Sequence, residues 1–334
     1  MVPQCDGWSI IAKLTMFVID GPEEAGLMVP ACGAPVLVET GHPTEPSQMA
    51  EWWPRGMACG EITWDFLSWD GRRNRPVPVA SGWQDRLMTV DPLLEQAQGV
   101  WETLAAALVS FPPAGGLNVV TSPASQVALP SWAGIVVLGD SAIITAPTDR
   151  AAQVLRRGLA GMPVSSLTSP EAVAAVLPVH EVLGPAALGY VCRDGFRPVP
   201  AGRAVERLAP GHQNLTALVE SVPPEDAGES AMDEITSAAF VVRKGADVVA
   251  AAGFQAWPAA VAHLCVLTAP GERGRGLARQ VASAAVAQAL ADGLLPQWRA
   301  RTTASRSVAR ALGFRELGSQ LSLRLGQEEL HRKG

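Results

Sequence analysis

The sequence predicts an α+β protein with a mixed sheet, and three observations carry that expectation. Helical and strand-like periods alternate from residue 91 onward, several apolar runs are short enough to be buried strands, and one long helix follows a strand and glycine-rich turn directly. The 334 residues are enough for two domains of ordinary size, and 48% apolar against 17% charged residues is the balance of a chain that builds cores.

Residues 1–85 are rich in Pro, Gly and Trp (Trp8, Trp52, Trp53, Trp64, Trp69, Trp83) and keep no helical period, so an irregular extension of short strands and loops is expected. An N-terminal α/β domain is expected over 86–205. There Leu93, Leu94, Ala97, Val100, Trp101, Leu104 and Leu108 recur every three or four residues, which predicts a helix over 91–109 ended by Phe111-Pro112-Pro113. Strands follow at 117–121, 134–138 and 142–146. Thr148 or Asp149 can cap a helix reaching residue 159, and Ser169-Pro170-Glu171 opens a short helix through 176, with Pro170 where a missing N–H costs little. The segment 182–191 holds Tyr190, the single tyrosine, and a Pro and Gly cluster at 197–202 reads as a linker.

Elements then follow closely over 206–327. A helix is expected at 212–219, strands at 239–244 and 247–256 joined by a turn at Gly245, and a buried strand at 261–268. The strongest helix spans 276–292 and stops at Gly293, as a left-handed cap requires. A strand at 297–303, a helix at 305–312 ended by Gly313 and a strand at 316–325 complete the order.

The apolar run 8–20 is too short to span a bilayer, is broken by Lys13, and has neither a basic run before it nor a clear cleavage site after it. Cys5, Cys32, Cys59, Cys192 and Cys265 are scattered without a CxxC spacing, so no disulfide framework and no metal site is expected. Together these features suit a reduced, cytoplasmic protein with no membrane partner. The net charge of −6 gives no reason to expect nucleic acid, but its distribution is uneven. From Glu272 onward eleven Arg and Lys face five Asp and Glu, which leaves fifteen against twenty-seven in the remainder. A cationic end suits an anionic cofactor. Nothing in the sequence indicates an oligomeric state.

The chemistry is concentrated where the strand Leu264-Cys265-Val266-Leu267-Thr268 runs through Pro270-Gly271-Glu272-Arg273-Gly274-Arg275-Gly276 into the helix. A helix start exposes unpaired amides that, with the macrodipole, favour a phosphate, and glycines let the backbone approach it. No GK[ST] is present for a P-loop, and Arg279 stands where a dinucleotide fingerprint needs its third glycine.

Arg273-Gly274-Arg275-Gly276-Leu277-Ala278 is an RxxGxA sequence, and it resembles the acetyl-CoA diphosphate signature of the GCN5-related N-acetyltransferase (GNAT) family. The context agrees: a preceding strand, a long helix, a further strand, and a short helix ending in Leu312-Gly313-Phe314, so that the likeness covers roughly 206–325. The resemblance implies a GNAT fold with acetyl-CoA as co-substrate. Backbone groups of Val266 and Leu267 would pair with the pantetheine arm, the amides of Arg273, Gly274, Arg275, Gly276, Leu277 and Ala278 would hold the diphosphate, and Ser305 would flank the cofactor. It also implies transfer of an acetyl group to a primary amine of a small molecule or peptide. One departure matters: where the family often has Asn and a proton-donating Tyr, this chain has Thr302 and Ala309.

The reaction needs a base for the amine, and two candidates stand out, Glu229 in the acceptor segment and His263 within the 261–268 strand. The acidic remainder of the chain suits a cationic acceptor such as an aminoglycoside, a polyamine or a lysine side chain. Helix, strand, strand and helix recur between 91 and 160 without an RxxGxA turn, so the first half reads as a degenerate copy that shapes the acceptor side. The missing Tyr leaves a noncatalytic acyl-CoA sensor or partner-binding module as the alternative.

Overall fold

The computed structural model describes residues 91–113, 115–199 and 205–326, together with the backbone of three upstream strands. These are β1 (Gly26–Pro30), β2 (Trp64–Asp70) and β3 (Arg75–Pro78), which form an antiparallel sheet in that order within a unit spanning Met1–Thr89. The rest of the Trp-rich extension, and residues 200–202 of the expected linker, lie outside the described residues.

The second unit, Val90–Gly334, is built on one mixed sheet. Its first part supplies α1 (Pro92–Leu104), β4 (Gly116–Thr121), β5 (Ala133–Leu138), β6 (Ser141–Ala146), α2 (Asp149–Gly158), α3 (Pro170–Ala174) and β7 (Val179–Tyr190). The later part supplies β8 (Glu206–Leu208), α4 (Gln213–Glu220), α5 (Pro224–Ser230), β9 (Ala239–Lys244), β10 (Asp247–Trp257), β11 (Val261–Thr268), α6 (Leu277–Ala291), β12 (Leu295–Ala300), α7 (Thr303–Ala311) and β13 (Arg315–Leu325). The strand order is β4-β6-β5-β13-β7-β12-β11-β10-β9-β8. The two parts are therefore interleaved, because β7 lies between β12 and β13 and bonds antiparallel to both.

Local chemistry accounts for the helix starts. Thr148 and Ser169 accept from the amides of Ala151 and Ala172, and His212 Nδ1 accepts from Asn214. The expected helix over 91–109 is shorter than its apolar period: Ala106 adopts a left-handed φ of 50°, and Leu108 is fully exposed. Helix α5 was not expected, since its residues look like a polar loop. Pro224 at its first turn and a left-handed Ala231 behind it set its ends.

Helices cover both faces of the sheet, so β5 and β6 are buried along their whole length. Along β11, Ala262 and Leu264 join the cluster under α6, whereas Val261 joins that under α1, and Cys265 and Leu267 that under α4 and α5. Trp101 of α1 is buried among these, donating Nε1–H to Tyr190 Oη at 2.6 Å and meeting Trp257 edge-on at 6.3 Å. No described helix is long and apolar enough to cross a membrane.

Candidate functional site

The parallel strands β11 and β12 are paired at one end alone. Val261, Ala262 and His263 face Leu295, Pro296 and Gln297, and there the ladder stops. Beyond that point Leu264 to Thr268 keep their β10 partners. Because Ala260 O accepts from Leu295 on the β12 edge and Ala269 N–H donates to Val249 on the β10 edge, Val266 presents its backbone to a cleft, whereas Leu267, expected to share that role, turns its own toward Ala251. Helix α6 begins at the open end of this cleft, behind Gly274 (φ 76°) and the N-cap Gly276 (φ 75°). No side chain caps that start, and the first turn holds no acid. Its leading amides therefore have no intrahelical acceptor. A Cβ built on either glycine meets nothing within 4 Å, so space for an anion is open beside the turn. Thr268 Oγ1, at the end of β11, is buried without a hydrogen-bond partner. An uncapped helix start, open glycines and an orphaned hydroxyl fit a diphosphate.

The arginines of the turn are held by acids of the chain. Arg273 donates to Thr268 O at 3.2 Å and pairs with Asp226 of α5 at 2.7 Å, while Arg275 pairs at 2.9 Å with Glu272. Glu272 is buried and also takes Lys244 of β9 at 2.6 Å, which ties the turn to the sheet. Sequence reasoning missed this bracing, and a buried acid inside a basic turn was its one visible sign. Ser305 lies in the first turn of α7 and accepts Trp298 Nε1–H at 2.9 Å. Ala309 is buried in the core under α7, and Tyr190 is wholly buried, so neither brings a hydroxyl to the cleft.

The two candidate bases have different surroundings. Glu229, on α5, is partly exposed and ion-paired with Arg301, just past the end of β12. His263 is 6% exposed, stacks on Trp257 at 4.2 Å and donates Nδ1–H to Gln297 Oε1 at 2.5 Å. Burial, helped by the Arg299 charge, pulls its pKa down to about 4, against the Gln297 bond. These are the surroundings of a core histidine, and such an imidazole accepts a proton poorly at neutral pH. Burial likewise pushes the Cys265 thiol up to about 12, which keeps it protonated.

A stability consequence follows. The unfolded chain protonates this imidazole near 6.5 and the folded one near 4, so stability is whole above pH 6.5 and declines as pH falls toward 4. The loss attributable to His263 reaches up to about 3 kcal/mol. Denaturant midpoints at pH 7 and 4.5 should diverge less in His263→Asn than in the parent. Equal divergence would assign the acid sensitivity elsewhere.

Residues 237–319 match the family model described as GNAT acetyltransferase, which puts a GNAT domain in the C-terminal part of the chain. No curated protein matches. Among solved structures the chain is similar to a GNAT-family acetyltransferase from Novosphingobium aromaticivorans, with 26% identity, TM-score 0.34, and 43% of this chain and 65% of that one covered. It is also similar to a GCN5-related N-acetyltransferase from Kribbella flavida, with 17% identity, TM-score 0.36 and coverage of 46% and 62%. A tandem GNAT protein from the clavulanic acid biosynthesis pathway gives 13% identity, TM-score 0.35 and coverage of 70% and 95%. The chain thus spans under two thirds of the first two.

Proposed function

We propose that residues 206–327 act as an N-acetyltransferase domain that passes the acetyl group of acetyl-CoA to a primary amine of a small molecule or peptide. The observation that carries this reading is the uncapped start of α6 at the mouth of two strands that part after His263 and Gln297. Bound acetyl-CoA would supply the acyl group as an activated thioester.

The amides of Gly274 through Ala278 hold the diphosphate, the expected Arg273 amide being given instead to Pro270 O, with Lys244, Glu272 and Arg275 keeping the turn in shape. The free backbone edge at Val266 receives the pantetheine arm, and an N–H of that edge polarises the acyl carbonyl. Ser305 fixes Trp298 alongside. Glu229 takes the proton from the amine as the C–N bond forms and the C–S bond breaks. With no hydroxyl on α7 at position 309, the departing sulfur takes its proton from solvent.

Glu229→Gln should lower kcat about 10²- to 10⁴-fold in a free-thiol release assay, with acetyl-CoA affinity kept within a few-fold. Unchanged turnover would remove Glu229 as the base. The sole tyrosine being buried favours one second reading, a noncatalytic acyl-CoA sensor. Protein that binds acetyl-CoA and releases no thiol with a broad amine panel would support it.

A further inference from the structure

Residues alternate along β12. Pro296, Trp298 and Ala300 are buried, Trp298 and Ala300 of them in the cluster under α6. Gln297, Arg299 and, just past the strand end, Arg301 turn toward the face of α1, α4 and α5. The outer two are engaged, Gln297 by His263 and Arg301 by Glu229. Arg299, between them, is exposed and among the described residues has neither a hydrogen bond nor a carboxylate within ion-pair distance. Desolvation by the surrounding protein holds its pKa below the ordinary value, opposed by the Glu234 charge. An exposed guanidinium with no carboxylate partner is open to an anionic ligand, which it can hold through two parallel N–H···O bonds.

The geometry points to Arg299 as the seat of a carboxylate on the acceptor, which makes the acceptor a compact amino acid. This deepens the acyltransferase reading and rests on it. Were the β11 ladder continued, Cys265 would lie opposite Arg299 and Leu267 opposite Arg301, so the seat is beside the segment that receives the acyl end. Arg299 and Arg301 are two residues apart, about 7 Å along a strand, and Arg301 carries Glu229. A short zwitterion would span the two, its carboxylate on Arg299 and its amine toward Glu229.

The full chain is first titrated with acetyl-CoA by calorimetry, then assayed for thiol release with amino acids, their carboxamides and simple amines. We expect amino acids to exceed their carboxamides in kcat/KM by at least about tenfold. Arg299→Gln should raise KM for amino acids about 10- to 100-fold and erase their advantage, with acetyl-CoA affinity within twofold, and Arg299→Lys should restore part of it. Equal use of amino acids and carboxamides, or an Arg299→Gln protein that still prefers the acids, overturns the inference while the acyltransferase reading stands. Acetyl-CoA binding without turnover of any amino acid overturns it too. A failure to bind acetyl-CoA at all sinks the acyltransferase reading itself.

Discussion

Replacing Gly276 with valine is expected to weaken CoA binding at least about 100-fold, equivalent to about 3 kcal/mol. Two effects act together. The N-cap must keep φ 75°, a left-handed value that a β-branched residue resists, and a side chain there occupies the open space beside the leading amides of α6. The strain alone costs about 1–2 kcal/mol and belongs to stability rather than binding. Gly211 separates the two: it has φ 71° with nothing near its Cβ, and it is exposed in the turn before α4. Gly211→Val should lose comparable stability and keep its CoA affinity. Equal affinity in Gly276→Val and the parent, by calorimetry, would contradict the assignment.

Trp101→Ala is expected to destabilise the second unit by about 3–5 kcal/mol. Trp101 is buried, fills the space between α1 and Trp257, and supplies a hydrogen bond to Tyr190. Its loss leaves a cavity and removes the indole donor at Tyr190 together. Because β7 ends at Tyr190 and lies between β12 and β13, loosening α1 should also lower CoA affinity at a distance. Trp101→Phe should recover most of the packing and none of the bond. A stability change under 1 kcal/mol for alanine, read from denaturant unfolding, would mean that α1 is not part of this core.

Much of the architecture was legible locally. Thr148, Ser169-Pro170 and Gly293 marked helix ends because capping is decided within a few residues, and the start of α6 followed from the spacing of Gly274 and Gly276. Helix α5 escaped because Pro224-Glu225-Asp226-Ala227-Gly228-Glu229-Ser230 has no apolar period and includes a glycine, yet its contact with β11 holds it. The apolar period extends past the end of α1 because Leu108 continues it after Ala106 has already turned the chain. The insertion of β7 between β12 and β13 had no local signature, since strand pairing over more than a hundred residues is decided by the assembled sheet.

The site divides the same way. The glycine-rich turn was visible as a motif, whereas the contacts of Asp226 and Gln297 and the open position of Arg299 were not, because they depend on what stands across the sheet. Alternation along β12 could have marked Gln297 and Arg299, polar residues on every second position of an otherwise buried strand.

The most direct measurement compares two ligands by calorimetry, CoA and pantetheine, the latter having the arm without the diphosphate. The account expects one-to-one binding of CoA and at least about 100-fold weaker binding of pantetheine. Equal affinity for both would show that the bend before α6 does not grip the anion.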